Sequence, residues 1–253
     1  MNNWKIRSVA VAAVSSCVIA SGAAAQSSGG SIQLETQGQS MRWETGLDGH
    51  TDWTADGYSF MGDAFGSGWG MNWEMMANTA TAQSVIANFT VINLSSETQT
   101  FSLLITDSVA TEYGAGSLVG GSIAGTYTDL NADGVGVTSV DGASIYSAFV
   151  DATTVDPFDG TVVGSLLTDA NGSAGLFQTG TFGESAFGDF PVLPGQSMGG
   201  ADLNYGFILE FTLSAGDTAG FTASMAIATP APGAIGLLAI SGLVGRRRRR
   251  SAD

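Results

Sequence analysis

Three features of the sequence predict an all-β protein, a β-sandwich with the jelly roll as one form of it. Short runs of β-branched and aromatic residues recur along the chain, separated by Gly, Asp, Asn, Ser and Thr. No stretch sustains a helical period. Glycine, at 36 of 253 residues, is about twice its usual frequency, which suits turns and bulges rather than helices. Between the two ends lies a middle of about 200 residues, enough for one core, so residues 26–228 are expected to form a single domain.

The elements follow in order. Residues 31–37 alternate, with Ile32 and Leu34 on one face and Gln33 and Glu35 on the other. Runs 41–45 and 72–76 carry Trp43 and Trp73. The long run 84–94 (SVIANFTVINL) turns at Ser95-Ser96-Glu97-Thr98 into 99–106. Runs 205–213 (YGFILEFTL) and 221–228 flank SAGDTAG and predict a hairpin. Residues 178–204 hold six glycines with Pro191 and Pro194, and predict a long irregular loop.

Charge is distributed unevenly. Of eight basic residues, Lys5 and Arg7 stand at the start and five arginines near the end, leaving Arg42 alone between them. All acidic residues except Asp253 lie from Glu35 to Asp217, so the domain carries 22 acidic groups against one basic, or −21. Such a field repels nucleic acid and anionic lipid and attracts cations. Stability must come from apolar burial and backbone hydrogen bonds, because only Arg42 can form an Arg or Lys ion pair.

Residues 1–25 have the form of an export signal. MNNWKIR supplies positive charge, 8–22 is uncharged and mostly apolar, and Ala23 and Ala25 occupy the small positions of an A-x-A cleavage site. Val14-Ser15-Ser16-Cys17 also has the form of a lipobox, in which Cys17 would be lipidated. With cleavage after Ala25, the remaining chain has no cysteine and no thiol chemistry. At the other end, residues 232–245 are apolar; 14 residues of helix span about 21 Å, short of the ~30 Å hydrocarbon core. Arg246, Arg247, Arg248, Arg249 and Arg250 would hold the end of this marginal span on the cytoplasmic side.

A proline-rich turn, a short apolar helix and a terminal arginine cluster together resemble the PEP-CTERM sorting tails of exported bacterial proteins. Here Pro230-Ala231-Pro232-Gly233 stands in the turn, with alanine where the family has glutamate. The resemblance covers about 25 residues (229–253). It implies export to the cell envelope, surface or extracellular matrix, membrane contact through the tail, and processing by an exosortase-type protease. Stretches 120–140 (GGSIAGTYTDLNADGVGVTSV) and 207–221 (FILEFTLSAGDTAGF) more loosely resemble glycine-rich exported domains that precede such tails. That likeness concerns fold and address and implies no activity.

The best metal candidate is TDLNADGVG. Asp129, Asn131 and Asp133 place oxygen ligands at alternate positions and Gly134 permits a sharp turn, as at the start of a Ca²⁺ loop. The twelfth position is Val140, with Asp141 one place late as the candidate closing acid. The same residues also suit a plain β-turn. Shorter echoes begin at Asp52 and Asp169. Trp43, Trp53, Trp69 and Trp73 fall within 31 residues; exposed, they would stack on sugar rings, and buried, they would fill the core. His50 is the only histidine and no G-x-S-x-G stretch accompanies it. No catalytic residue is therefore assigned. The expectation is a structural or adhesive exported protein that binds polysaccharide or calcium. The alternative is a secreted polysaccharide hydrolase using a carboxylate pair.

Overall fold

The structure is a computed structural model that describes residues 29–79, 82–153, 159–189 and 195–230. Among these residues, alternating apolar positions fold as sixteen strands. They begin with β1 (Ser31–Thr36), β2 (Gln39–Glu44), β3 (His50–Thr54), β4 (Gly57–Gly66), β5 (Trp69–Asn78), β6 (Ala82–Asn93) and β7 (Gln99–Ser108). There follow β8 (Leu118–Thr128), β9 (Val135–Ser139), β10 (Ser144–Val150), β11 (Thr161–Thr168), β12 (Asn171–Ala174) and β13 (Thr179–Phe187). The last are β14 (Gln196–Ser197), β15 (Asn204–Leu213) and β16 (Thr218–Ala228). The expected β-sandwich is what forms. One sheet runs β11-β10-β15-β7-β1-β2, with β9 on β15 and β12 on β9; the other runs β13-β8-β16-β6-β5-β4-β3, with β14 on β8. The strand pairs are antiparallel.

The core lies between the sheets. β15 turns Tyr205, Phe207, Leu209, Phe211 and Leu213 inward, and β16 answers with Phe221, Ala223, Met225 and Ile227. Rings pack both across and within the layers: Phe211 of β15 meets Phe221 of β16 across the sandwich at 4.8 Å between centroids, and Tyr146 of β10 stacks on Phe207 of the neighbouring β15 at 5.4 Å. Trp43, Trp69 and Trp73 belong to this interior. Trp69 and Trp73 are buried, Trp43 is half-buried, and Trp43 lies 4.9 Å from Trp73. Gly62, opposite Trp73 in the β4–β5 register, has no Cβ because the indole lies where one would be.

Two expectations are corrected. Residues 205–213 and 221–228 are strands, but they do not form a hairpin: β15 pairs with β7, β10 and β9 in one sheet, and β16 with β6 and β8 in the other. Both strands carry large apolar residues on alternate positions, and the turn between them crosses the sandwich so that those faces meet. Asn93 fixes this crossing. Its side chain donates to the carbonyls of Leu213, Ser214 and Glu97 at 2.9, 3.0 and 2.8 Å, and its backbone N–H donates to that of Asp217 at 2.9 Å. The second correction concerns residues 178–204, where the nine-residue β13 pairs with β8. Its glycines mark ring contacts as well as turns: Tyr127 covers Gly180.

The sandwich has two distinct poles. Ala228 lies opposite Ala82 and Leu118, and Ser31 opposite Thr106. Ala110 beyond β7 donates its N–H to Gln83 in β6 at 3.3 Å, which brings these strand ends together. The two outermost described positions, Gly29 and Pro230, therefore sit at the same pole. Eleven residues of β16, about 36 Å of strand, separate it from the pole carrying the β8–β9 and β15–β16 turns. The export signal, Ala23 and Ala25, and the tail residues Pro232, Gly233 and Arg246 to Arg250 lie outside the described residues. Among the described residues no helix is long and apolar enough to cross a membrane.

Candidate metal centre and aromatic cleft

The β8–β9 turn begins where Asp129 leaves the sheet. Its Oδ1 accepts the backbone N–H groups of Asn131 at 3.2 Å and Ala132 at 3.1 Å, and its Oδ2 accepts that of Phe177 at 2.5 Å. Asn131 Oδ1 in turn accepts the N–H of Asp133 at 3.1 Å. These local bonds favour a turn over a continued strand. Ala132 and Gly134 take positive φ of 69° and 93°, which only the glycine adopts without strain.

The β15–β16 turn supplies a partner absent from the linear motif. Asp217 is fully buried, accepts the Leu130 N–H at 3.2 Å through Oδ1, and takes the Ser214 hydroxyl on Oδ2. Carboxylate oxygens of Asp129, Asp133 and Asp217 all lie within 4.8 Å of one another. Asn131 spans the same two turns, its amide donating to Asp133 Oδ2 at 3.0 Å and to the Ala215 carbonyl at 2.9 Å. Asp129, Asn131 and Asp133 are thus together. Asp141 is not with them: it sits in the 3₁₀ turn Val140–Gly142, beyond the five residues of β9, or about 16 Å of strand. Asp217, not Asp141, is the third acid of the group. Its signal was the turn SAGDTAG, but placing that turn beside residue 129 requires the cross-sheet connection.

The electrostatics of the group are uneven. Burial works to raise the Asp129 carboxyl, but N–H donors from Phe177, Asn131, Gly134 and Ala132 bring it below the usual carboxylate range. Asp217 is pushed upward, chiefly by burial; Ser214 and the Leu130 N–H oppose this, and the charges of Asp129 and Asp133 add to it. Among the described residues Arg42 pairs with Glu44 at 3.1 Å and His50 Nε2 lies 3.1 Å from Asp52, both at other places. The group therefore faces no protein cation in either pair. Oxygens of this kind and spacing suit a hard divalent cation, with water completing its shell.

A second feature lies at the opposite pole. A cleft of about 520 Å³ is walled by Trp53, Thr54, Ala55 and Tyr58 of the β3–β4 hairpin, Thr79 after β5, and Asp107 to Ala110 at the end of β7. Among the described residues Trp53 is the exposed tryptophan, at 57%. It leans on its cross-strand partner Tyr58, with ring centroids 5.1 Å apart. Beneath them, Asp107 accepts the hydroxyls of Tyr58 at 2.8 Å and Tyr205 at 3.0 Å. Asp107 is only 3% exposed; burial pushes its carboxyl upward against the pull of those hydroxyls and the Ser108 N–H. Both tyrosines are driven well above the ordinary phenol value, first by burial and then by Asp107. Nothing in the short stretch around Asp107 signals this arrangement. It depends on β4, β7 and β15 meeting.

Comparison with known proteins found no family model that matches the chain and no curated relative.

Proposed function

We propose that the protein is an exported module of the cell envelope or extracellular matrix with a structural or adhesive role. A PEP-CTERM-type tail sets it on the membrane and is processed by an exosortase-type protease. The observation that carries this reading is the polarity of the sandwich. Gly29 and Pro230 sit at one pole, whereas the Asp129, Asp133 and Asp217 group sits about 36 Å away. A domain carried on a terminal tail would hold the acidic pole outward. Calcium is the ligand class that suits this acidic pole, and polysaccharide is the other ligand class of the reading.

Calcium binds between the β8–β9 and β15–β16 turns in this reading and staples one sheet to the other. Screening alone would also relieve a −21 domain, so the control is monovalent salt at matched ionic strength. A ligand present at 100 times its dissociation constant and binding only the folded state adds about 2.7 kcal/mol. Millimolar Ca²⁺ is therefore expected to raise the melting temperature more than matched NaCl does. Changing Asp129 and Asp133 together to Asn removes most of the excess and leaves the salt response. Equal effects of Ca²⁺ and NaCl would reduce the cluster to a loop staple made of hydrogen bonds.

A further inference from the structure

We infer that the Trp53 cleft is a subsite for a neutral sugar ring of a polysaccharide. The inference rests on the adhesive reading above and gives it a place and a ligand class. The cleft volume, about 520 Å³, falls within the ~300–1,000 Å³ of small-molecule sites and is far larger than one ion needs. Its walls come from both sheets, through the β3–β4 hairpin and the end of β7.

The lining has the two chemistries a pyranose needs. Trp53 offers a broad aromatic surface on which the C–H face of a sugar can stack. Its position is fixed by Tyr58, whose ring lies 5.1 Å away and whose hydroxyl is held by Asp107 at 2.8 Å. Hydroxyls of Thr54 and Thr79 lie among the lining residues. Thr54 donates to the Gly57 carbonyl at 3.2 Å and Thr79 to the Asp56 carbonyl at 3.4 Å. A hydroxyl that donates in this way still accepts, so both oxygens can receive sugar hydroxyl protons.

The same contacts argue against an ammonium ligand, the other guest an aromatic wall would suit. The acid that would pair with it, Asp107, is nearly sealed from solvent, and each of its oxygens already holds a tyrosine hydroxyl. The cleft therefore presents ring faces and hydroxyls rather than a free carboxylate. An anionic sugar is disfavoured by the 22 acidic groups of the domain. Asp107 acts through Tyr58 and is a positioning residue.

The test uses the protein purified as cells export it, titrated with neutral polysaccharides (a β-glucan, chitin fragments and xylan) and separately with choline. Binding is read from tryptophan emission and from co-sedimentation with insoluble polymer. At least one neutral glycan is expected to bind with a blue shift. Trp53→Ala should weaken it by about tenfold or more with the melting temperature unchanged, because this ring lies outside the main core. Leu94→Ala, which removes an exposed apolar side chain at the other pole, should leave binding as it was. Glycan binding that survives Trp53→Ala overturns the cleft assignment and leaves the adhesive reading standing. Binding of choline without any glycan, or no binding at all, overturns the saccharide assignment. The adhesive reading is then judged by cell-surface localisation alone.

Discussion

Single residues carry costs that their neighbours only partly offset. Asp107 is a buried carboxylate with two tyrosine donors and a raised carboxyl pKa. An acid whose folded pKa lies above its unfolded value gives its stability at low pH. The contribution is complete below the ordinary value of 3.8 and is lost as pH rises toward the folded value. Asp107→Asn removes this titration. The wild type should therefore lose stability relative to the variant across the acidic range above pH 3.8, with the gap constant at higher pH. Denaturant unfolding at several pH values reads the difference, and the other acids cancel in it; a gap independent of pH would refute the account. The tryptophans give a second comparison. Trp69 donates its ring N–H to Gln39 at 3.1 Å, whereas the buried ring N–H of Trp73 has no hydrogen-bond partner. Trp73→Phe should cost about 1 kcal/mol less than Trp69→Phe, measured by the same unfolding curves. Neither contrast is legible in the sequence, because each depends on which strand a side chain faces.

At the scale of elements, the sequence shows strands but not their partners. Alternation in 31–37, 84–94 and 205–213 locates β1, β6 and β15 to within about two residues. It cannot tell a turn that returns within one sheet from a turn that crosses to the other, since SAGDTAG serves either purpose. The crossing is decided by where the inward faces of β15 and β16 find apolar surface, and by Asn93, more than a hundred residues away in the chain. The same limit hid Asp217 from the metal motif. The pairing can be probed at glycines. Gly206 lies in β15, and a Cβ there would overlap the Ile105 carbonyl of the adjacent β7. Gly136 in β9 has open space in that direction. Gly206→Ala is expected to cost about 1–3 kcal/mol through forced backbone shifts, and Gly136→Ala to be neutral or to stabilise by up to about 1 kcal/mol. Similar effects at the two sites would argue that β15 does not sit this close to β7.

For the molecule as a whole, orientation is the property that joins fold to proposed address. With a tail beyond residue 230 in the membrane, the pole holding Gly29 and Pro230 faces the cell and the Asp129 pole faces outward. Phe177 and Leu203 report the two poles. Phe177 borders the acidic group, through its N–H to Asp129, and its side chain is 71% exposed. Leu203 immediately precedes β15 at the other end and is 53% exposed. The chain has one cysteine, Cys17, inside the segment expected to be removed, so a cysteine placed at either position is a usable label. In purified protein, Phe177→Cys and Leu203→Cys should react with a membrane-impermeant maleimide at comparable rates. On intact cells producing the protein, the cysteine at 177 should keep that rate while the one at 203 slows several-fold, shielded by the envelope beneath it. Replacing Arg246, Arg247, Arg248, Arg249 and Arg250 with serine should abolish the difference, because the tail would no longer be held and processed in one orientation. Equal labelling on cells bearing the intact tail would mean that the domain is not set on the surface by its C-terminal end. An unchanged size and distribution of the serine variant between cells and medium would remove the sorting tail from the account.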